Sequence, residues 1–235
     1  MLGTMFSNSL DNWFGLNAQR ERLLKKVPEG PLKTFLSVPF PEHKRPISKV
    51  PMLALDFETS ALEACEGHLL SMGYVSVENL SIHLGSAEHF LVKSQQQLSN
   101  DNVAIHQITS QESLSGLTLE QAVEKLLAAL AGKVMLVHYA KVEQTFLAKA
   151  CKTLYGYEPV YPIVDTLVVA KRRLDRRLLP YDPQDLRLTN LRDNYQLPSH
   201  YAHNALNDAV ATAELLLAEL AHHQQTANPL KDFLR

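Results

Sequence analysis

The spacing of apolar residues changes several times along the chain, and the changes divide it. From Met52 to Val92 apolar positions come in short runs of strand length: Met52 to Phe57, an alternating run from Leu69 to Val77, then Ser81 to Leu84 and His89 to Val92. Glu78-Asn79 and Gly85-Ser86 lie between the later runs as turn residues, so the pattern predicts sequential antiparallel strands. From Thr118 the period becomes helical. Thr118-Leu119-Glu120-Gln121 has the capping-box form, with Leu119, Val123, Leu126, Leu127 and Leu130 on one face and Gly132 as the stop. Val134 to Val137 reads as a buried strand, Val142 to Leu154 as an amphipathic helix ended by Gly156, and Val160 to Val164 as a short strand between prolines. A helix beginning at Asp165, a loop from Tyr181 to Asp185, a short helix from Thr189 to Tyr195 and a long helix from Asn204 to His222 complete the pattern.

Antiparallel strands followed by alternating helices and strands predict an α/β fold, a mixed central sheet with helices on both faces. Residues 1–50 have a different texture. An amphipathic helix from about Leu10 to Lys26, carrying Trp13, Phe14, Leu16, Leu23 and Leu24, precedes a segment with Pro28, Pro31, Pro39, Pro41, Pro46 and Pro51. Proline removes a backbone donor and disfavours helix before it, so this connection is expected to be irregular or extended. The expected division is an N-terminal extension over 1–50, a globular domain over 51–223 and a C-terminal tail over 224–235. The extension is rich in basic residues; it reads either as an appendage packing on the main domain or as an arm that touches a polyanion or a partner protein.

Composition narrows the function. With 23 Lys and Arg against 25 Asp and Glu, the net charge of −2 is wrong for coating duplex nucleic acid, so any such contact must be local. Cys65 and Cys151 show no metal-site spacing and read as reduced thiols. The N-terminus lacks the form of a secretory signal, and no apolar run is long enough to span a membrane, which points to the cytoplasm. No feature selects an oligomeric state.

Candidate chemistry starts at Leu53-Ala54-Leu55-Asp56-Phe57-Glu58-Thr59. Residues two apart on a strand share a face, so Asp56 and Glu58 stand side by side and repel unless a cation lies between them. The plainer reading is two solvated acids at a strand end. Glu143 falls early in a helix after a buried strand, where compensation of the helix dipole would explain it. Asp165 is adequately explained as a cap. Asp208 lies in the first turns of the last helix, with His203 just before it. The basic run Lys171-Arg172-Arg173 with Arg176-Arg177 is either a phosphate track or a solvated helix end.

In order, these segments resemble the DEDD superfamily of 3′–5′ exonucleases, in the histidine branch that includes DnaQ-like, DNA polymerase III epsilon-subunit-like and ribonuclease T-like enzymes. The resemblance runs from about Met52 to Leu220. Asp56-Phe57-Glu58-Thr59 matches that family's D-x-E-T, and His106-Gln107-Ile108-Thr109 its H-x-I-T. His138 to Leu147 follows its second motif, Asp165-Thr166-Leu167 its D-T-L, and His203-Asn204-Ala205-Leu206-Asn207-Asp208-Ala209 its H-x-A-x-x-D-A. Three departures stand out. Glu143 replaces Asp, and its extra methylene demands a backbone set further back. Tyr139 replaces Asn and Val142 an aromatic. Ser60-Ala61 stands where many members have glycine.

The resemblance implies a ribonuclease H-like sheet and two divalent ions, Mg²⁺ or Mn²⁺, which favour oxygen donors. It implies Asp56 as the shared ligand, Glu58 and Asp208 completing one metal site, Glu143 serving the second, and His203 as the general base. Phe57, Thr59, Leu62, His106 and Thr109 would line the terminal nucleotide. The implied reaction is hydrolysis of phosphodiester bonds at a 3′ end, single-stranded or frayed, with DNA favoured. An inactive relative that binds nucleic acid or a partner is the alternative. A phosphatase of the aspartyl-phosphate type would want a second Asp where Glu58 stands.

Overall fold

The structure is a computed structural model that describes residues 8–93, 115–176 and 180–235; of residues 8–14 it describes the backbone alone. Five strands form one sheet in the order β3-β2-β1-β4-β5: β1 (Met52–Thr59), β2 (Leu69–Glu78), β3 (Ser81–Leu91), β4 (Val134–Val137) and β5 (Ile163–Asp165). The β1, β2 and β3 neighbours run antiparallel, while β4 and β5 extend the sheet in parallel from β1. This is the mixed sheet expected from the change of period. The described helices are α1 (Asn8–Leu24), α2 (Pro31–Ser37), α3 (Leu119–Leu130), α4 (Lys141–Tyr155), α5 (Thr166–Arg176), α6 (Leu188–Asn194) and α7 (Ala205–His222).

Local signals explain most boundaries. Thr118 and Gln121 form the reciprocal capping box at the start of α3. Gly156 ends α4 in the left-handed region, φ 79°. β1 and β4 are buried almost throughout, as strands covered on both sides must be. Helix α7 lies along β1, β2 and β3, whereas α3 packs on β1, α2 and α4.

Two expectations need correction. The two runs after Asn79 form one strand, because Gly85-Ser86 makes a bulge rather than a turn. Tyr74 pairs with Glu88 but Ser76 with His83, and Ser86 Oγ accepts the Ser76 amide at 2.9 Å. The proline-rich segment also contains a helix, α2, with Pro31 in its first turn, where the missing N–H costs nothing. Leu32, Phe35 and Leu36 on that helix are buried in the same apolar cluster as β1 and β4, as are Leu230, Phe233 and Leu234. Residues 45–48 exchange backbone hydrogen bonds with 226–230, and Arg235 N bonds Ile163 O at 3.1 Å, so the chain end lies along β5. The Arg20 guanidinium reinforces this packing: it is buried, donates to Leu36 O and lies 5.8 Å from the Phe40 ring centroid.

Candidate active site

Alternation along β1 sets the first half of the site. Leu55 and Phe57 face the core, and Asp56 and Glu58 share the opposite face. Asp208 reaches them from the first turn of α7, which Asn204 caps by accepting the Asn207 amide. The approach depends on Gly73. It pairs with Asp56 across β1 and β2, and a Cβ there would lie 2.2 Å from Leu206 N and 2.3 Å from Ala205 C. Only a residue without a side chain lets the start of α7 sit this close to the sheet. As a result, one carboxylate oxygen from each of Asp56, Glu58 and Asp208 lies within 4.8 Å of the other two.

This closeness is costly. Burial, followed by the charges of Glu143, Asp208 and Glu58, raises the Asp56 carboxyl well above the usual carboxylate range. Burial also raises Asp208, with Glu58 adding to the effect and His200 opposing it. Carboxylates that destabilise one another in this way, presenting oxygen donors alone, fit a hard divalent cation.

Glu143 enters from α4, and the turn before that helix is heavily braced. Asp165 accepts the Tyr139 amide at 3.0 Å, the Ala140 amide at 2.9 Å and the Leu167 amide at 3.0 Å. It therefore caps α5, as expected, and also fixes the loop that launches α4. His138 Nδ1 lies 2.8 Å from Thr166 Oγ1 in the same turn. Tyr139 adopts φ 68°, a left-handed conformation that suits Asn far better than Tyr. Glu143 is 2% exposed. Burial is the main cause that pushes its carboxyl up to about 8; its own amide and that of Phe57 oppose the shift, and Asp165 and Glu58 add to it. Its Oε2 is buried without a hydrogen-bond partner among the described residues. Glu143 is thus close enough to Asp56 to be its strongest charged influence, but it is not one of the three carboxylates in mutual reach.

The other expected residues are scattered. The His203 side chain is exposed, its backbone takes φ 65°, and its amide donates to Asp208 Oδ2 at 2.9 Å. The imidazole seated on Asp208 belongs instead to His200, with Nε2 2.9 Å from Oδ1. Phe57 is packed in the core, on the side of β1 away from the acids. Thr59 donates to Ala61 O at 2.8 Å, and Leu62 is 75% exposed. His106 and Thr109 lie outside the described residues. The basic run is largely engaged within the molecule. Lys171 pairs with Asp175, Arg172 donates to Leu234 O, and Arg173 binds Glu219, Tyr195 and His223. Arg177 lies outside the described residues. The residues that sequence reasoning passed over are His200 and Gly73. A glycine within a strand was a usable signal for the second; nothing local distinguished the first.

The chain is similar to known proteins in both sequence and fold. The sequence profile of the RNase T-type exonuclease family matches residues 53–216. The chain is 26% identical over 165 residues to a PolC-type DNA polymerase III of Thermotoga petrophila, covering 70% of this chain and 11% of that protein. It is 24% identical over 173 residues to a PolC-type DNA polymerase III of Caldanaerobacter subterraneus subsp. tengcongensis, covering 74% of this chain and 12% of that protein. The chain thus spans only about a tenth of the length of these curated relatives. Among solved structures, E. coli exonuclease I in complex with a dA16 oligonucleotide superposes with a TM-score of 0.64 at 15% identity, covering 76% of this chain and 42% of that one. The nuclease domain of 3′hExo, a DEDDh family member bound to rAMP, superposes with a TM-score of 0.63 at 15% identity, covering 77% of this chain and 96% of that one. These two likenesses are likenesses of fold, and with the profile match they place the chain in the RNase T-type exonuclease family of the DEDD superfamily.

Proposed function

We propose that the protein is a 3′–5′ exonuclease that hydrolyses phosphodiester bonds at single-stranded or frayed 3′ ends, DNA in preference to RNA, and releases nucleoside monophosphates. The observation that carries this reading is the mutual reach of the Asp56, Glu58 and Asp208 oxygens. Those three residues would hold one divalent ion, with Asp56 shared, and Glu143 would serve a second, Mg²⁺ or Mn²⁺. When bound, the ions supply charge neutralisation at the phosphate and acidify water. The chain's own residues do the rest. His203, exposed beside Asp208, takes the proton from the attacking water as the general base. Leu62 offers an exposed apolar surface to a terminal base. Phe57, with its side chain in the core, reaches substrate only through its backbone.

A neighbouring fold bound to oligo(dA) and another bound to rAMP support a nucleic-acid ligand. The relation to PolC-type polymerases supports a replication setting, with residues 1–50 as a candidate contact to a protein partner. One observation favours a weakened relative: Glu143 is buried and its carboxyl is pushed up to about 8. Digestion of 3′-labelled single-stranded DNA, mismatched duplex and short RNA, with Mg²⁺ or Mn²⁺, separates the readings. Mononucleotide release that disappears with His203→Ala, by on the order of 10²–10⁴-fold, supports the enzyme. Wild-type protein inert on all substrates with both metals overturns it.

A further inference from the structure

We propose that His200 is a positioning residue for the metal centre, holding the Asp208 carboxylate turned toward Asp56 and Glu58. The inference rests on the metal-dependent reading above. Asp208 is gripped on both oxygens: His200 Nε2 lies 2.9 Å from Oδ1, and the His203 amide donates to Oδ2 at 2.9 Å. Both partners of the side-chain pair are sheltered, with 10% of the His200 side chain and 14% of the Asp208 side chain exposed. A carboxylate offers about four lone-pair directions, so two remain for a cation.

The grip is needed because of what it opposes. Asp56 and Glu58 repel Asp208, and an Asp side chain in the first turn of a helix is free to rotate away toward solvent and the helix amides. The backbone contact comes from His203, a residue held in the left-handed conformation, φ 65°. The Asn207 side chain ties back to Tyr201 O at 3.3 Å, which holds the same loop against the first turn of α7. The amide fixes one oxygen, and the imidazole completes the orientation. Supporting groups of this kind set ligand direction and are worth roughly 10–100-fold in metal affinity.

The test is Mn²⁺ binding by the full chain, read from the electron paramagnetic resonance signal of the free ion, with thermal melts in EDTA run in parallel. His200→Ala is expected to weaken Mn²⁺ binding by about 10-fold or more with an unchanged melt. His200→Gln, whose amide nitrogen reaches to a similar depth, is expected to recover most of the loss. In an Asp208→Asn background, His200→Ala should cost nothing further. Wild-type affinity in His200→Ala, or no recovery in His200→Gln, overturns the inference while leaving the metal centre standing. Failure of the wild type to bind Mn²⁺, or undiminished binding by Asp56→Asn, overturns the metal reading and this inference with it.

Discussion

Helix α7 carries a buried or half-buried acid at each end, and the chain treats the two oppositely. At its C-terminal end Glu219, 1% exposed, is met by Arg173 at 2.6 Å, and the same guanidinium bonds Tyr195 and His223. At its N-terminal end Asp208 faces Asp56 and Glu58, two more acids. The first charge is compensated from within the fold. The second is set against two more acids, with His200 and the His203 amide to ease it. A sequence that supplies an arginine for one buried carboxylate and two carboxylates for the other is building structure at one end and a cation site at the other.

The strongest way to break this contrast is Asp56→Asn. If the acids form a metal centre, cleavage should fall by about 10³-fold or more. In EDTA the thermal midpoint should rise, because one of the repelling charges is gone. A lower midpoint would mean that Asp56 is structural after all.

The opposite signature is expected at the other end. Arg173→Met leaves Glu219 buried without its cation, which costs about 3–5 kcal/mol, while turnover by the protein that remains folded is unchanged. Burial raises the Glu219 carboxyl to about 7 despite the pull of Arg173. Without Arg173 the acid takes up its proton at a still higher pH; below about 7 it is protonated in both proteins, so the mutant's destabilisation should grow as pH rises above about 7. Urea titrations at pH 6 and pH 8 measure the difference.

How much of this was legible in the sequence depends on how local the cause is. Strand alternation placed Asp56 and Glu58 together, and the same rule put the Phe57 side chain on the other side, in the core. A capping box located α3, and a run of high helix propensity located α7. The helix α2 was hidden by its prolines, although Pro31 is acceptable in a first turn. His200 was not legible because it meets Asp208 across the irregular segment before α7, where no periodicity fixes which side chain turns inward. Nor were the partners of the basic run. Glu219 and Leu234 lie 46 and 62 residues from the arginines they meet, and no periodicity encodes such pairs.

A smaller effect comes from the turn beside the site. Burial lowers the His138 imidazole to about 4, with Asp165 and a backbone contact to Leu186 opposing. Its ordinary value is 6.5. Between those pH values the unfolded chain binds a proton that the folded one refuses, so stability is full above about 6.5 and falls on acidification toward 4. The loss approaches about 3 kcal/mol. Acid unfolding of wild type and His138→Gln isolates this share, because the carboxylates titrate equally in both proteins. Parallel curves for the two would remove His138 from the account.

The smallest expected effect is also the most direct test of how the basic run is used. Lys171 is exposed and paired with Asp175 one helical turn away, at 2.8 Å. Tyr181 bonds the other oxygen of that Asp at 2.8 Å, so the lysine belongs to a local surface cluster. If the run were a track for single-stranded nucleic acid, each lost contact would flatten the dependence of log KM on log salt by roughly 0.7. The structure directs Arg172 and Arg173 inward and leaves Lys171 neutralised. Lys171→Ala should therefore cleave single-stranded DNA with the wild-type salt slope and melt at the wild-type midpoint. A slope reduced by about 0.7 would mean that this pair opens for substrate, and that the balanced region of the molecule extends into function after all.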